Sequence, residues 1–139
     1  LGLGAKPSAD AQLPAFIYSF LCRFLKTDRQ TGWYTTLCAR EMVVPTAALD
    51  RLVRQIIRPL AERLEAIVRR LAPRASADEV HRSTLSIVGQ CLLYHHSRPV
   101  LERLYGPQRY ADADIKRLAD HITRFSLAAL RGARPRKER

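Results

Sequence analysis

The chain has 139 residues, 47% of them hydrophobic and 27% charged, which is the balance of one soluble globular domain and excludes a disordered or fibrous protein. The net charge of +11 admits a nucleic-acid partner, although arginines are spread along the whole chain and only residues 131–139 concentrate them. No apolar run reaches the roughly 18 residues of a membrane span, and the start lacks the layout of a secretion signal.

The first predicted elements are a linker and two helices. Residues 1–9 contain Gly2, Gly4 and Pro7, which break regular structure, and we interpret them as a linker. From residue 13 to residue 25 apolar side chains recur every three or four positions, which predicts an amphipathic helix with Pro14 in its first turn. A shorter helix is expected over residues 32–42, ending before Pro45 because the residue ahead of a proline is pushed out of the helical region.

The next helix carries the strongest apolar period of the chain, over residues 49–71. Thr46 is placed to cap its start, and Asp50 in the first turn complements its dipole. Pro59 lies inside this pattern, where it cannot donate a hydrogen bond to the Gln55 carbonyl. A bend is therefore predicted near Pro59.

Two further helices complete the predicted bundle. Ser76 and Glu79 match a capping box, so a helix begins there and runs through the segment LSIVGQCLLYHHSRPV, until Pro99 bends or interrupts it. Asp112 is expected to cap a last helix that ends at Gly132. The prediction is an all-α bundle of about five main helices over residues 10–131, with a linker remnant at residues 1–9 and a basic disordered tail at residues 132–139.

The last two helices carry more apolar surface than one neighbour can cover. Apolar residues occupy nearly the whole circumference between residues 85 and 94, and the pattern repeats between residues 125 and 130. We predict a homodimer in which these helices form a four-helix interface, and the alternative is that both are central helices of a monomer. The predicted interface residues are Leu85, Gly89, Leu92, Leu93, Phe125, Leu127 and Ala128.

A pocket for a small, largely apolar effector is the second prediction. The helix WYTTLCAREM, residues 33–42, mixes aromatic and aliphatic side chains with a charged pair, as a pocket between helices requires. An ordinary core with a surface ion pair explains the same spacing equally well. The predicted ligand-binding residues are Phe16, Phe20, Trp33, Leu37, Arg40, Glu41, Gln90 and Tyr94.

Metal binding and catalysis have weaker support. Cys91 and His95 are four residues apart, a spacing that could supply two zinc ligands, but no further cluster completes a set, and we favour a buried thiol. No serine, cysteine or histidine sits in a known catalytic motif. We therefore predict no enzyme, no cofactor and no metal, and the odd number of three cysteines fits a reducing cytoplasm.

Three segments together resemble a known family: AREMVVPTAALDRLV (residues 39–53), SIVGQCLLYHHSRPVLERLY (residues 86–105) and ADHITRFSLAAL (residues 119–130). They are similar to the C-terminal domain of TetR-type bacterial transcriptional regulators of the CerR/CecR-like subgroup. The resemblance implies an effector-binding and dimerising domain, whose last two long helices form the dimer.

The same resemblance implies a partner domain. In that family an N-terminal helix-turn-helix domain binds operator DNA, and its sequence is missing from this chain. We expect contact with operator DNA only through that missing domain, no contact with membranes, and a cytoplasmic one-component regulator that acts as a repressor. The alternative function is a basic helical module that binds nucleic acid directly.

Overall fold

The computed structural model describes residues 6–26 and 32–132, and in this part of the chain the structure is helical without strands. The helices, in order, are α1 (Ala9–Leu25), α2 (Gly32–Val43), α3 (Ala47–Leu52), α4 (Arg58–Leu71), α5 (Ala77–His96), α6 (Arg98–Tyr105) and α7 (Asp112–Gly132), with a π-helical turn (Val53–Ile57) joining α3 to α4. The all-α prediction is confirmed. Most of the predicted linker and nearly all of the predicted tail lie outside the described residues.

Helix α1 begins earlier than its apolar pattern predicts. The Ser8 hydroxyl accepts a hydrogen bond from the Ala11 amide at 3.3 Å, and Asp10 places a negative charge in the first turn. Pro14 therefore lies inside the helix and not in its first turn, which corrects the prediction. A capping serine before the apolar stripe was the signal for the earlier start.

Near the bend predicted at Pro59, the structure has a π-helical turn between α3 and α4. The Arg58 amide donates to the Val53 carbonyl, five residues back, where an α-helix would use the residue four back. Because Pro59 has no amide hydrogen and its ring crowds the preceding turn, a wider turn just before it relieves both constraints. The proline thus sets the backbone geometry at residues 53–57.

The boundaries of the later helices follow local signals. The Ser76–Glu79 capping box is formed in both directions, with bonds of 2.7 and 3.2 Å, and α5 stops at Ser97 before Pro99. Gly106, at φ +82°, ends α6 in a conformation that favours glycine. The prediction that Asp112 caps α7 is wrong by one residue. Asp112 is already helical, and the Ala111 carbonyl accepts a hydrogen bond from the Ile115 amide.

Helix α1 lies at the centre of the main core, in contact with α4, α5 and α7. Leu13, Ile17 and Leu21 are completely buried along one face of α1. They meet buried side chains from the other three helices, among them Leu64, Val68, Ile87, Cys91, Ile115 and Ile122. None of the described helices is both long and apolar enough to cross a membrane.

A second, smaller core lies under α2 and contains Tyr34, Cys38 and Leu52. Glu41 is completely buried beside it, although it carries a carboxylate. Its oxygens accept hydrogen bonds from the Thr46 amide at 2.7 Å and from the Thr46 hydroxyl at 2.9 Å. The Thr46 hydroxyl in turn accepts from the Ala48 amide at 3.2 Å, so Glu41 ties the end of α2 to the start of α3.

Replacing Glu41 tests this tie. We expect Glu41→Ala to lower the free energy of unfolding by about 2–4 kcal/mol, because it removes a buried charged acceptor and leaves a void. Glu41→Gln, which keeps one acceptor oxygen, should cost less. Urea denaturation followed by circular dichroism measures both, and the exposed Glu62→Ala on α4 is the control, expected within about 0.5 kcal/mol of the original chain. An unchanged urea midpoint for Glu41→Ala would show that the hydrogen bonds between Glu41 and Thr46 do not stabilise the fold.

Candidate functional site: an apolar cavity beside an exposed helical face

A cavity of about 170 Å³ lies between α1, α2, α5 and the start of α4. Phe16, Phe20 and Phe24 follow one another at four-residue spacing on α1, so all three face the same side of that helix. Their ring centroids are 6.1 and 4.8 Å apart, and Tyr34 continues the row at 6.3 Å from Phe24. One wall of the cavity is therefore aromatic.

The other walls are aliphatic or contain sulfur. Ile57, the last residue of the π-helical turn, lines the cavity together with Leu60 and Ala61 just beyond Pro59. The distorted segment of the backbone thus forms one side of the cavity. The remaining lining residues are Cys38 and Met42 from α2, and Val88, Leu92 and His96 from α5.

Polar groups in the cavity are few, and the described residues of the lining include no Asp, Glu, Lys or Arg. Burial, with a hydrogen bond between the Tyr34 and Cys38 side chains, raises the pKa of Tyr34 to about 12, so its hydroxyl stays neutral at physiological pH. His96 is exposed and Met42 is 58% exposed, which places the opening of the cavity beside them. The interior offers a ligand almost entirely apolar contacts.

Only two of the eight predicted ligand-binding residues, Phe16 and Phe20, line this cavity. Trp33 and Leu37 line a separate groove of about 430 Å³ between α2 and α3, and Trp33 is 64% exposed. Arg40 points into solvent at the surface of α2. The structure therefore does not bring the α2 residues of the prediction together with the phenylalanines.

The remaining three residues have other surroundings. Glu41 is bound to Thr46 at the turn between α2 and α3. Gln90 lies 3.4 Å from the Ser126 hydroxyl, at the contact of α5 with α7. Tyr94 is half-buried against the main core.

Sequence reasoning missed most of the cavity lining. Phe24 could have been found, because it continues the four-residue spacing of Phe16 and Phe20. Leu92 was assigned to the dimer interface, but it lines the cavity. No sequence signal identified Ile57, Leu60 or Ala61, because an apolar residue of a long stripe looks the same whether it faces a core or a cavity.

Helix α5 presents three different apolar faces. Val80, Ile87 and Cys91 are buried in the core, while Val88 and Leu92 face the cavity. A third row is exposed: Leu85 is 57% exposed, Leu93 is 50% exposed, and Gly89 lies between them. These three residues are four apart and form one stripe along the helix.

Helix α7 continues the exposed surface. Phe125 is 61% exposed, and Ala128 and Ala129 beside it are exposed as well. Leu127, predicted in the interface, is half-buried and packs on the main core. A groove of about 250 Å³ runs between α5 and α7, with Ser86, Gln90 and Phe125 among its lining residues. We call Leu85, Gly89, Leu93, Phe125, Ala128 and Ala129 the exposed α5–α7 face.

Cys91 and His95, which were considered above as two zinc ligands, lie in different environments. Cys91 is 2% exposed in the core, and burial raises the pKa of its thiol to about 12. The His95 ring lies 5.8 Å from the ring of Phe24, and burial together with the neighbouring His96 lowers the pKa of His95. Among residues 6–26 and 32–132, no three His, Cys, Asp or Glu side chains converge as metal ligands would.

A comparison with protein families identifies the chain. Residues 9–130 match the family model described as the C-terminal domain of the HTH-type transcriptional dual regulator CecR. No curated protein and no solved structure matches the chain. Because the match covers nearly all described helices, from the start of α1 almost to the end of α7, the chain belongs to the family of CecR C-terminal domains, a domain of TetR-type transcriptional regulators.

Proposed function

We propose that this domain binds a small effector in the apolar cavity and forms a homodimer through the exposed α5–α7 face, as part of a TetR-type one-component regulator. The observation that carries the proposal is the position of α5, which lines the cavity with Val88 and Leu92 and contributes Leu85 and Leu93 to the exposed face. In this proposal helix α5 therefore contacts both the effector and the second copy of the chain.

The exposed face has the properties of an isologous interface. Soluble monomers rarely leave several large apolar side chains adjacent to one another in water, and here Leu85, Leu93 and Phe125 are each at least half exposed. Apart from its chain neighbours and the adjacent backbone of α5, no described atom lies within 4 Å of where a Cβ on Gly89 would be, so the backbone is open to a close neighbour. Two copies related by a twofold axis would cover these residues with a four-helix arrangement.

Coupling between the two sites follows from the geometry of α5. A ligand that prefers one arrangement of α1, α4 and α5 shifts the population toward it, because its binding free energy differs between the arrangements. Since the cavity residue Val88 directly precedes Gly89, a shift of α5 changes the packing at the dimer face. In the dimer this alters the spacing of two attached DNA-binding domains, whose half-sites lie about 34 Å apart.

Operator recognition belongs, in this proposal, to a helix-turn-helix domain and not to the helices of this domain. The proposed regulator is cytoplasmic and represses transcription until its effector binds. The scattered positive charge serves at most general attraction to the DNA phosphates.

The dimer is tested by adding charge to its face. We expect Phe125→Glu to raise the dimer dissociation constant at least about 100-fold, because the interface would bury two unpaired carboxylates. Sedimentation equilibrium measures the constant, and circular dichroism checks that the helices are retained. Leu104→Glu on α6 is the matched control, since Leu104 is 64% exposed and lies outside the proposed face. Equal dissociation constants for Phe125→Glu and Leu104→Glu would show that the exposed α5–α7 face is not the dimer interface.

Substitution of Gly89 tests the dimer without disturbing the fold of the single chain. Within a single chain a side chain at this position meets open space, and replacing a helical glycine by alanine stabilises a helix by about 0.5–1 kcal/mol. We expect Gly89→Leu to leave the fold intact and to weaken the dimer at least about tenfold, because the added side chain occupies the position of the facing helix. Sedimentation velocity over a concentration series follows this. A dimer as tight as that of the original chain would contradict the placement of Gly89.

DNA binding separates the proposal from a basic nucleic-acid module. We expect the isolated domain to bind duplex DNA with a Kd on the order of 10⁻⁴ to 10⁻⁶ M, without sequence preference and falling steeply with salt. Gel-shift titrations at two salt concentrations, with random and palindromic duplexes, measure this. Tight, sequence-selective binding at physiological salt would favour the nucleic-acid module instead.

A further inference from the structure

The cavity geometry leads to a class of effector. We propose that the cavity between α1, α2, α4 and α5 takes a neutral, apolar molecule built on a single aromatic ring, such as an alkylbenzene. This inference rests on the proposed function, because it names the ligand of the proposed effector site.

The volume sets an upper limit on ligand size. Pockets for drug-sized ligands generally enclose about 300–1,000 Å³. The cavity here encloses about 170 Å³, close to the size of an engineered apolar cavity of about 150 Å³ that is known to bind benzene. One ring with a short substituent fits this space, whereas a fused polycyclic molecule requires the helices to move apart.

The lining sets the charge of the ligand. Among the twelve described residues that line the cavity there is no Asp, Glu, Lys or Arg to pair with an ionised group. The one imidazole among the described lining residues, that of His96, is exposed to solvent. A carboxylate or an ammonium group inside the cavity would lose its hydration without compensation, which is strongly unfavourable.

The aromatic wall sets the shape of the ligand. The rings of Phe20 and Phe24 are tilted by 35° at 4.8 Å, and Tyr34 is tilted by 53° to Phe24, so the wall offers both ring faces and ring edges. An aromatic guest can form offset or edge-to-face contacts with such a wall. Cys38 and Met42, on the α2 side, add polarisable sulfur atoms that make favourable contacts with a ring.

A pair of single-ring probes that differ in charge tests the class. Toluene and benzoate share one ring and differ in charge, and binding of each to the dimeric domain is measured by isothermal titration calorimetry at neutral pH. We expect toluene to bind with one site per chain, and benzoate to bind at least about 100-fold more weakly.

Two variants test whether toluene enters this cavity. Ala61→Phe fills it and should reduce toluene affinity at least about tenfold. Ala66→Phe is the matched control on the same helix, where the alanine is exposed, and should leave the affinity unchanged. If Ala61→Phe does not fold, Leu60→Ala serves instead, because it enlarges the cavity and should raise the affinity for naphthalene at least about tenfold relative to the original chain.

The outcomes separate the effector class from the proposed function. Toluene binding that is lost in Ala61→Phe and kept in Ala66→Phe supports the inference. Benzoate binding that exceeds toluene binding, and is lost in Ala61→Phe, overturns the neutral ligand class and leaves the effector site in place. If neither probe binds, both the ligand class and an effector site in this cavity are overturned, while the dimer is judged separately by the Phe125→Glu and Gly89→Leu variants.

Discussion

The structure depends on helix α5, which carries apolar side chains on three of its sides. Helix α5 closes the main core with Ile87 and Cys91, forms a wall of the cavity with Val88 and Leu92, and leaves Leu85 and Leu93 in water. Burial of the first set stabilises the folded chain, but the exposed set gains free energy only when another surface covers it. The fold therefore buries one side of α5 in its own core and leaves another side exposed.

The cavity exists because the helices around it cannot pack closely at one point. Pro59 prevents a regular α-helix, and the π-helical turn before it places Ile57, Leu60 and Ala61 on one wall of the cavity. On the opposite side the bulky rings of α1 stack on one another. Protein interiors normally leave little such space between their side chains.

The buried carboxylate of Glu41 is paired within its own chain. A charged residue in an apolar helix suggested a ligand contact, but the tertiary structure directs it to the amide and hydroxyl of Thr46, where it fixes the corner between α2 and α3. That corner holds Tyr34 and Cys38 against the cavity. Glu41 thus contributes to the shape of the cavity through a contact five residues away, while its own side chain lies outside the lining.

The sequence by itself determined the all-α class, the approximate positions of the main helices and the surplus of apolar surface on the last two long helices, because these features depend on periodicity and on hydrogen bonds between residues close in the chain. The capping box at Ser76 and the stop at Gly106 are examples. Only the tertiary structure decided which apolar residues face a core, a cavity or solvent. Leu92 and Leu93 are neighbours of the same chemical type, yet one lines the cavity and the other is half exposed, because burial depends on what the other helices place opposite each side chain.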